Sequence, residues 1–246
     1  MHTTILRTAM QPQPLYQPHH VHPAFELRYS WTGWPARSPF DEDAAVLTEV
    51  SPLWETDGMR LLERYWSNDR VQLTFSTTPE VSPSFLAGRA KGRLQHALAS
   101  QVARTRFADP SFRALMKEFT IVCDGVDLSG PTESAHGRYW YNLHVVLVTA
   151  ERYRVVDRPR LTILRDHSLK IAEKKGYRIS RLSVMPDHLH VSLRGSIQHG
   201  PREIALAFQN NLAYALGQVR IWADTFYVGT FGEYDMRAIR RNESPH

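Results

Sequence analysis

The chain contains one cysteine, Cys123, and no apolar stretch long enough to cross a membrane. A single cysteine cannot form an intrachain disulfide, and it cannot build a cysteine-ligated zinc site. A membrane-spanning helix needs about 20 consecutive apolar residues, and no charged and then apolar leader opens the sequence. These absences argue against a disulfide-stabilised secreted scaffold and a helical membrane protein. We therefore expect a cytoplasmic protein without a membrane partner.

The composition is that of an ordinary globular protein, with 42% hydrophobic and 22% charged residues in a chain of 246. That length allows one large domain or two of roughly 100–120 residues each. The formal net charge is +5, and the isoelectric point is about 9.4. This charge favours a polyanionic partner such as nucleic acid only mildly, because many unrelated proteins are equally basic.

The sequence resembles itself at an offset of 118 positions. Residues 58–98 align without a gap with residues 176–216 and share eight identical residues, more than chance predicts. Such an internal repeat indicates two related structural units. The identities, numbered in the first copy, are Gly58, Arg60, Asp69, Pro83, Ala87, Leu94, Ala97 and Leu98.

Each half is predicted to follow the order strand, helix, two strands, helix, strand. The first half places these elements at residues 25–29, 43–55, 59–66, 70–76, 83–104 and 119–123. The second half places them at residues 143–147, 160–175, 177–185, 188–194, 201–217 and 225–228. This order predicts an α+β fold of two tandem ferredoxin-like (βαββαβ) domains.

The domain boundaries follow from these elements. We expect a flexible N-terminal arm at residues 1–22, a first domain at 23–123, a linker at 124–138 and a second domain at 139–246. The arm is rich in Pro, Gln and His, and the linker is rich in Gly, Ser and Pro. Two similar domains in one chain would form a pseudo-dimer, which we expect to be a monomer in solution.

The segment VMPDHLHVSL, residues 184–193, places two histidines in an otherwise apolar strand. Alternate residues of a strand point to the same side, so His188 and His190 should share one face about 6–7 Å apart. Two imidazoles at this spacing can hold one divalent metal ion, with manganese, or magnesium and added waters, as the expected ion. The alternative is a pair of ordinary sheet-face histidines with hydrogen-bond partners.

This segment resembles the HUH motif of single-tyrosine transposases, the IS200-like family of insertion-sequence and REP-associated enzymes. The tail WADTFYVGTFG, residues 222–232, resembles the strand and turn before that family's last helix. The resemblance spans most of residues 139–241, and residues 23–123 look like a diverged copy. It implies two HUH-type domains that act on single-stranded or hairpin DNA in transposition.

The resemblance also implies a mechanism. His188 and His190 would hold the metal ion that polarises the scissile phosphate. A tyrosine would attack the phosphorus and leave a 5′-phosphotyrosine and a free 3′-hydroxyl.

The sequence departs from the family pattern at two places. In the first half Arg70 and Gln72 occupy the positions of the two histidines. The family's tyrosine position falls near residues 240–242, where this chain has Arg-Arg-Asn and no following glutamine. Tyr214 and Tyr234 are the substitute nucleophiles, and the alternative is that both are ordinary helix tyrosines with solvated hydroxyls.

Nucleic-acid binding does not require a nucleophile. Basic and amide side chains near the expected DNA path are candidates for phosphate or base contacts: Arg70, Arg194, Asn210, Asn211, Arg237, Arg240 and Arg241. Several tryptophans could stack on unpaired bases or fill the core: Trp31, Trp34, Trp140 and Trp222.

We interpret the sequence as a transposase-type protein that binds single-stranded or hairpin DNA. If competent, it would be a single-strand endonuclease that cleaves and rejoins DNA by metal-assisted tyrosine attack, although its tyrosine and glutamine positions are not matched. The alternative is a domesticated, non-cleaving nucleic-acid-binding protein derived from such a transposase. A third class is a structural or interaction protein that has kept only the fold.

Overall fold

The computed structural model describes residues 14–34, 44–67, 70–98, 121–134, 137–218 and 220–231. These residues form a mixed α+β fold. The strands are Ala24–Glu26 (β1), Arg28–Gly33 (β2), Met59–Ser67 (β3), Arg70–Thr77 (β4), Ile121–Asp124 (β5), Thr132–Ser134 (β6), Gly137–Tyr139 (β7), Asn142–Thr149 (β8), Arg178–Val184 (β9), His188–Arg194 (β10) and Trp222–Thr230 (β11). The helices are Ala44–Thr56 (α1), Pro83–Leu98 (α2), Arg158–Lys175 (α3) and Pro201–Ala215 (α4).

The strands form a six-stranded sheet in the order β1-β11-β8-β10-β9-β5, a three-stranded sheet in the order β2-β4-β3, and the hairpin β6-β7. Helices α3 and α4 contact each other and the six-stranded sheet. Among the helices of the described ranges, none is both long and apolar enough to span a membrane.

The second half contains the predicted sequence of elements β8, α3, β9, β10, α4 and β11. Its four strands are antiparallel neighbours in the order β11-β8-β10-β9. Helix α4 begins at Pro201, as predicted, and buries Ile204, Phe208 and Leu212 completely. These side chains join the same apolar core as Leu189 of β10, so both helices cover one face of the sheet.

The first half has the corresponding strand order β2-β4-β3, with helices α1 and α2. The prediction that a strand near residues 119–123 closes this sheet is wrong. That segment is β5, which pairs antiparallel with β9 at the edge of the six-stranded sheet. The predicted strand at residues 25–29 is also divided, because β1 pairs parallel with β11 whereas β2 pairs with β4.

Strands from earlier in the chain therefore cover both edges of the sheet formed by the second half. Further contacts join the two halves: the Ser84 amide donates to the Ile197 carbonyl at 3.0 Å, and Arg202 pairs with Glu80 at 2.6 Å. An uncovered strand edge exposes unpaired backbone groups. Strands β1 and β5 therefore provide hydrogen-bond partners for the outer edges of β11 and β9.

Some elements of the two halves begin at the 118-residue offset seen in the sequence. Strands β4 and β10 begin 118 positions apart, and so do helices α2 and α4. Gly58 and Gly176 follow α1 and α3 at the same offset, with φ of +78° and +70°. Glycine suits both positions because left-handed backbone at a helix C-terminus disfavours a side chain.

The expectation of a loose arm fails for residues 14–22, which pack against α4 and β11. Tyr16 is 4% exposed. Asn210 accepts from the Tyr16 amide at 2.8 Å and donates to the Tyr16 carbonyl at 3.0 Å. The Trp222 amide donates to the Tyr16 hydroxyl at 2.8 Å. Residues 1–13 of the predicted arm lie outside the described residues.

The edge strands generate a prediction about fragments. Residues 125–246 would keep β8–β11 but lose β1 and β5, so both edges of the sheet would become unpaired. We expect this fragment to associate or aggregate and to melt at a lower temperature than the full chain, as measured by size-exclusion chromatography and circular dichroism. A monomeric fragment with the full chain's melting temperature would contradict the edge-covering role.

Candidate functional site

His188 and His190 lie on the face of β10 opposite the helices. Along this strand Leu189 and Val191 are fully buried towards the helices, whereas the two histidines are partly exposed. Their ring centroids are 4.9 Å apart. The prediction that both imidazoles share one face of a strand is confirmed, because successive side chains of β10 alternate between the two faces.

Asp187 orients the ring of His188. The Nδ1 atom of His188 lies 2.7 Å from Asp187 Oδ1, and Arg152 Nη1 lies 3.4 Å from Asp187 Oδ2. Partial burial raises the pKa of Asp187. The hydrogen bond from His188 and the nearby Arg152 charge lower it by a larger total amount, so the pKa lies below its ordinary value. The carboxylate therefore stays ionised and accepts from His188.

The loop after β8 holds the Pro-Asp corner in place. The amide of Thr149 donates to the Asp187 carbonyl at 2.9 Å, and the Val155 amide donates to the Pro186 carbonyl at 2.7 Å. Glu151 and Arg152 have positive φ of 52° and 56°, a conformation that costs non-glycine residues free energy. This strained turn places the Arg152 guanidinium beside Asp187.

His144 of β8 contacts His190 and was missed by the sequence prediction. Its Nε2 atom lies 2.9 Å from Nδ1 of His190, and the two rings are within 9° of parallel. His144 is 6% exposed. One signal was available: it is the polar residue inside the apolar run Leu143–Leu147, where a hydrophobic side chain would be expected.

Burial keeps His144 and His190 neutral. Desolvation lowers the pKa of His144 from 6.5 to about 4. The same effect, followed by the neighbouring His144 and His188, lowers the pKa of His190 to about 4. Both rings are therefore uncharged near neutral pH, which is the state in which an imidazole can bind a metal ion.

The donor set fits a divalent cation in part. The Nδ1 atom of each predicted ligand already contacts a protein partner, so a metal ion held by both rings would bind their Nε2 atoms. No group of three His, Cys, Asp or Glu side chains in the described ranges is arranged to hold a metal ion. In the described part of the chain the available donors are thus two imidazoles, and a cation held there would need further ligands such as water.

The corresponding face of the first half carries no imidazole pair. Arg70 and Gln72 occupy the two positions on β4. Gln72 is 1% exposed, and its side-chain amide donates to the Ser30 hydroxyl at 3.2 Å. Arg70 is partly buried at the start of β4, opposite Ser67 of β3.

Arg194, predicted to bind nucleic acid, is buried at the end of β10 with 2% exposure. Its guanidinium donates to Asn142 Oδ1 at 2.9 Å and to the carbonyls of Leu128 and Gly130 at 2.5 Å each. Phosphate cannot approach a side chain so enclosed. Arg194 instead fixes the segment between β5 and β6 to the sheet.

Of the two predicted amide contacts, Asn210 is also structural, because it binds the backbone of Tyr16. Asn211 is exposed, and its amide donates to the Ala207 carbonyl at 2.7 Å. Arg237, Arg240 and Arg241 lie outside the described residues.

Of the candidate nucleophiles, Tyr214 is 42% exposed on α4. Because α4 covers the face of the sheet opposite the histidines, Tyr214 lies on the helix side, which argues against its predicted role. Tyr234 lies outside the described residues. Tyr227 of β11, which was not predicted, lies on the histidine face with its ring centroid 6.1 Å from that of His144.

Of the predicted stacking tryptophans, Trp31 and Trp222 are buried in the core. Trp140 is partly exposed, and its indole donates to the Ser129 carbonyl at 3.0 Å. Trp34 is partly exposed. The core alternative therefore holds for the first two.

Replacing Arg194 with methionine should lower the free energy of unfolding by about 2–4 kcal/mol, because the buried acceptors on Asn142 and Leu128, and the carbonyl of Gly130, lose their donor. Urea denaturation measures this loss. The matched control is Arg178→Met on the exposed neighbouring position of β9, which should change stability by less than about 0.5 kcal/mol. Equal effects of the two substitutions would contradict the structural role of Arg194.

The lowered pKa values predict a pH dependence of stability. Below pH 6.5 the unfolded chain protonates His144 and His190, whereas the folded chain does so only near pH 4. The unfolded state then binds more protons, so stability falls as pH drops through this window. Urea denaturation of His144→Leu should show a smaller fall than the wild type. Parallel curves for His144→Leu and the wild type would refute the assignment.

Comparison with known proteins gives one family. A family model described as "Transposase IS200 like" matches residues 138–241. A crystal structure described as that of a "putative transposase" from Deinococcus radiodurans R1 is 24% identical and covers 41% of this chain and 86% of that chain, with a TM-score of 0.33. No curated protein matches significantly. Residues 138–241, which contain the histidine face, are therefore similar to an IS200-like transposase domain.

Proposed function

We propose that this chain is a transposase-type protein that binds single-stranded or hairpin DNA on the histidine face and cleaves it by tyrosine attack. The observation that carries this proposal is the pair His188 and His190 on the side of the sheet that α3 and α4 leave uncovered, within the range of the family match. On that side of the sheet His188 and His190 are partly exposed, whereas Leu189 and Val191 on the helix-covered side are fully buried.

The proposed cofactor is a magnesium or manganese ion held by His188 and His190 through Nε2. When bound, it would offset the negative charge that develops on the scissile phosphate. Asp187 and the corner that Thr149 and Val155 hold keep His188 in one orientation. The protein's part is thus to present two imidazoles in a fixed arrangement.

In the proposed cleavage a tyrosine hydroxyl loses its proton and attacks the phosphorus. The bond from phosphorus to the 3′ oxygen breaks, and that oxygen takes up a proton. The 5′ phosphate remains on the tyrosine, so the energy of the phosphodiester is kept for rejoining. Tyr234 remains the predicted nucleophile, and Tyr227 joins it because the structure places that ring on the histidine face.

We also propose that the two halves are a tandem duplication of a ferredoxin-like HUH domain, arranged as a pseudo-dimer at residues 23–123 and 139–246. The equal strand orders β2-β4-β3 and β8-β10-β9 support it, as do the shared left-handed glycines Gly58 and Gly176. Exchange of β1 and β5 onto the second sheet would make the two units interdependent.

The second candidate is a non-cleaving DNA-binding protein derived from such a transposase. It is favoured by the absence of a tyrosine and a following glutamine near residues 240–242. The position of Tyr214 on the helix side favours it as well. In this case Asn211, Arg70 and the basic C-terminal residues Arg237, Arg240 and Arg241 would contribute contacts without chemistry.

Incubation with labelled hairpin-bearing single-stranded DNA and Mn²⁺, followed by denaturing electrophoresis, tests the proposal. We expect a covalent protein–DNA band that disappears in His190→Ala and persists in His167→Ala, a histidine on α3. Tyr214→Phe should retain the band, and Tyr227→Phe or Tyr234→Phe should remove it.

Salt-sensitive DNA binding without a covalent band under Mn²⁺ or Mg²⁺ would reject cleavage and support the second candidate. Absence of any binding to hairpin DNA would reject both functions.

A further inference from the structure

We propose that His144 is a positioning residue that accepts a hydrogen bond from Nδ1 of His190 and thereby fixes the ring tautomer that can bind a metal ion. This inference rests on the proposed function, since it concerns the same cation. It assigns a role to a residue that is neither a predicted ligand nor a predicted DNA contact.

The Nε2 atom of His144 lies 2.9 Å from Nδ1 of His190. A neutral imidazole has one nitrogen that donates and one that accepts. If His190 donates from Nδ1, its Nε2 atom carries the lone pair that a metal ion needs. If His144 donates instead, the proton of His190 lies on Nε2, and that nitrogen cannot be a ligand. The direction of this bond therefore decides whether His190 can bind metal.

Strand pairing holds His144 in this position. In the ladder between β8 and β10, His190 lies opposite Val146 and His144 lies opposite Ser192. The bond between the two rings is thus a diagonal contact between neighbouring rows on one face. His144 is buried and its ring is nearly parallel to that of His190, so close packing restricts rotation of the His144 ring.

The first half contains a polar contact on the same diagonal. Gln72 lies opposite Thr32, and Ser30 lies opposite Thr74. With the 118-residue offset, Gln72 corresponds to His190, and the ladder makes Ser30 the counterpart of His144. Here the side chain on β4 is the donor and the side chain on β2 is the acceptor. The two halves thus share a hydrogen-bonded polar pair on this diagonal.

The hydrogen bond of His188 also determines which of its ring nitrogens carries the proton. Asp187 is an ionised carboxylate and can only accept, so His188 must donate from Nδ1. A neutral His188 that donates from Nδ1 is the tautomer whose Nε2 carries a lone pair. With His144 as acceptor, His190 has the matching tautomer, and both rings can offer the same nitrogen to one ion.

The direct test is the tautomer of His190 in the metal-free full-length protein. Two-bond ¹H–¹⁵N correlation spectra of ¹⁵N-histidine-labelled protein at pH 7.5, assigned with His190→Gln, distinguish a proton on Nδ1 from one on Nε2. We expect His190 with its proton on Nδ1 in the wild type. We expect a shift towards the Nε2 tautomer in His144→Leu. A wild-type proton on Nε2 overturns the proposal without any variant.

The second test measures Mn²⁺ binding to the full chain. The signal of the free ion in electron paramagnetic resonance reports how much Mn²⁺ remains unbound. His144→Leu should weaken binding by roughly 10–100-fold, the usual cost of losing such an outer partner. His144→Gln, which keeps an acceptor, should recover much of the affinity. The matched control is Gln72→Leu, which removes the corresponding contact in the first half and should leave Mn²⁺ affinity unchanged. Equal affinity of His144→Leu and the wild type would overturn the proposal.

These readouts separate the two proposals. Failure of the wild type to form a covalent DNA complex rejects cleavage but does not alter the tautomer of His190. If the wild type binds no Mn²⁺, the metal site of the proposed function fails, and the His190 tautomer still decides whether His144 is the acceptor.

Discussion

The arrangement of the candidate site depends on the backbone ladder between β8 and β10. This ladder puts Leu189 and Val191 under the helices and His188 and His190 on the other face. A slip of one residue would exchange the two sets, burying imidazoles under α4 and exposing leucine and valine. The apolar core therefore fixes the register, and the register places the histidines. The histidine positions are well defined because a shift in register would expose the apolar side chains of β10 to solvent.

The same ladder explains which parts of the site the sequence could predict. His188 and His190 are two residues apart on one strand, so the strand period alone puts them on one face. His144 is 46 positions away from His190, and its contact depends on the pairing register, which no local pattern reveals. Arg194 and Asn210 were predicted to contact nucleic acid, but both make hydrogen bonds within the protein. A polar residue type does not indicate whether its side chain is buried. Arg194 donates to the Leu128 carbonyl and Asn210 to the Tyr16 carbonyl, and both acceptors are distant in the sequence.

The elements of the fold were predictable, and the pairing of the edge strands was not. The alternation of apolar and polar residues predicted β3, β4, β9 and β10 close to their bounds in the structure. Pro83 and Pro201 correctly predicted the first residues of α2 and α4. For β1 and β5, a short apolar segment indicates a strand but not its neighbour. Both segments pair with strands more than fifty residues away, and only the three-dimensional fold chooses that neighbour over the local sheet.

If the halves arose by duplication, as we propose, the exchanged strands explain why a half without a histidine pair would keep its fold. On the first sheet the positions of the site are filled by Gln72 and Ser30, which are buried and bonded to each other. A buried polar pair satisfies its own hydrogen bonds and has no need of a ligand. The chain of the first half still supplies β1 and β5 to the edges of the second sheet, so its loss would expose those edges. On this proposal, packing constrains the first half and site chemistry constrains the second, so one copy could lose its imidazoles while keeping its backbone arrangement.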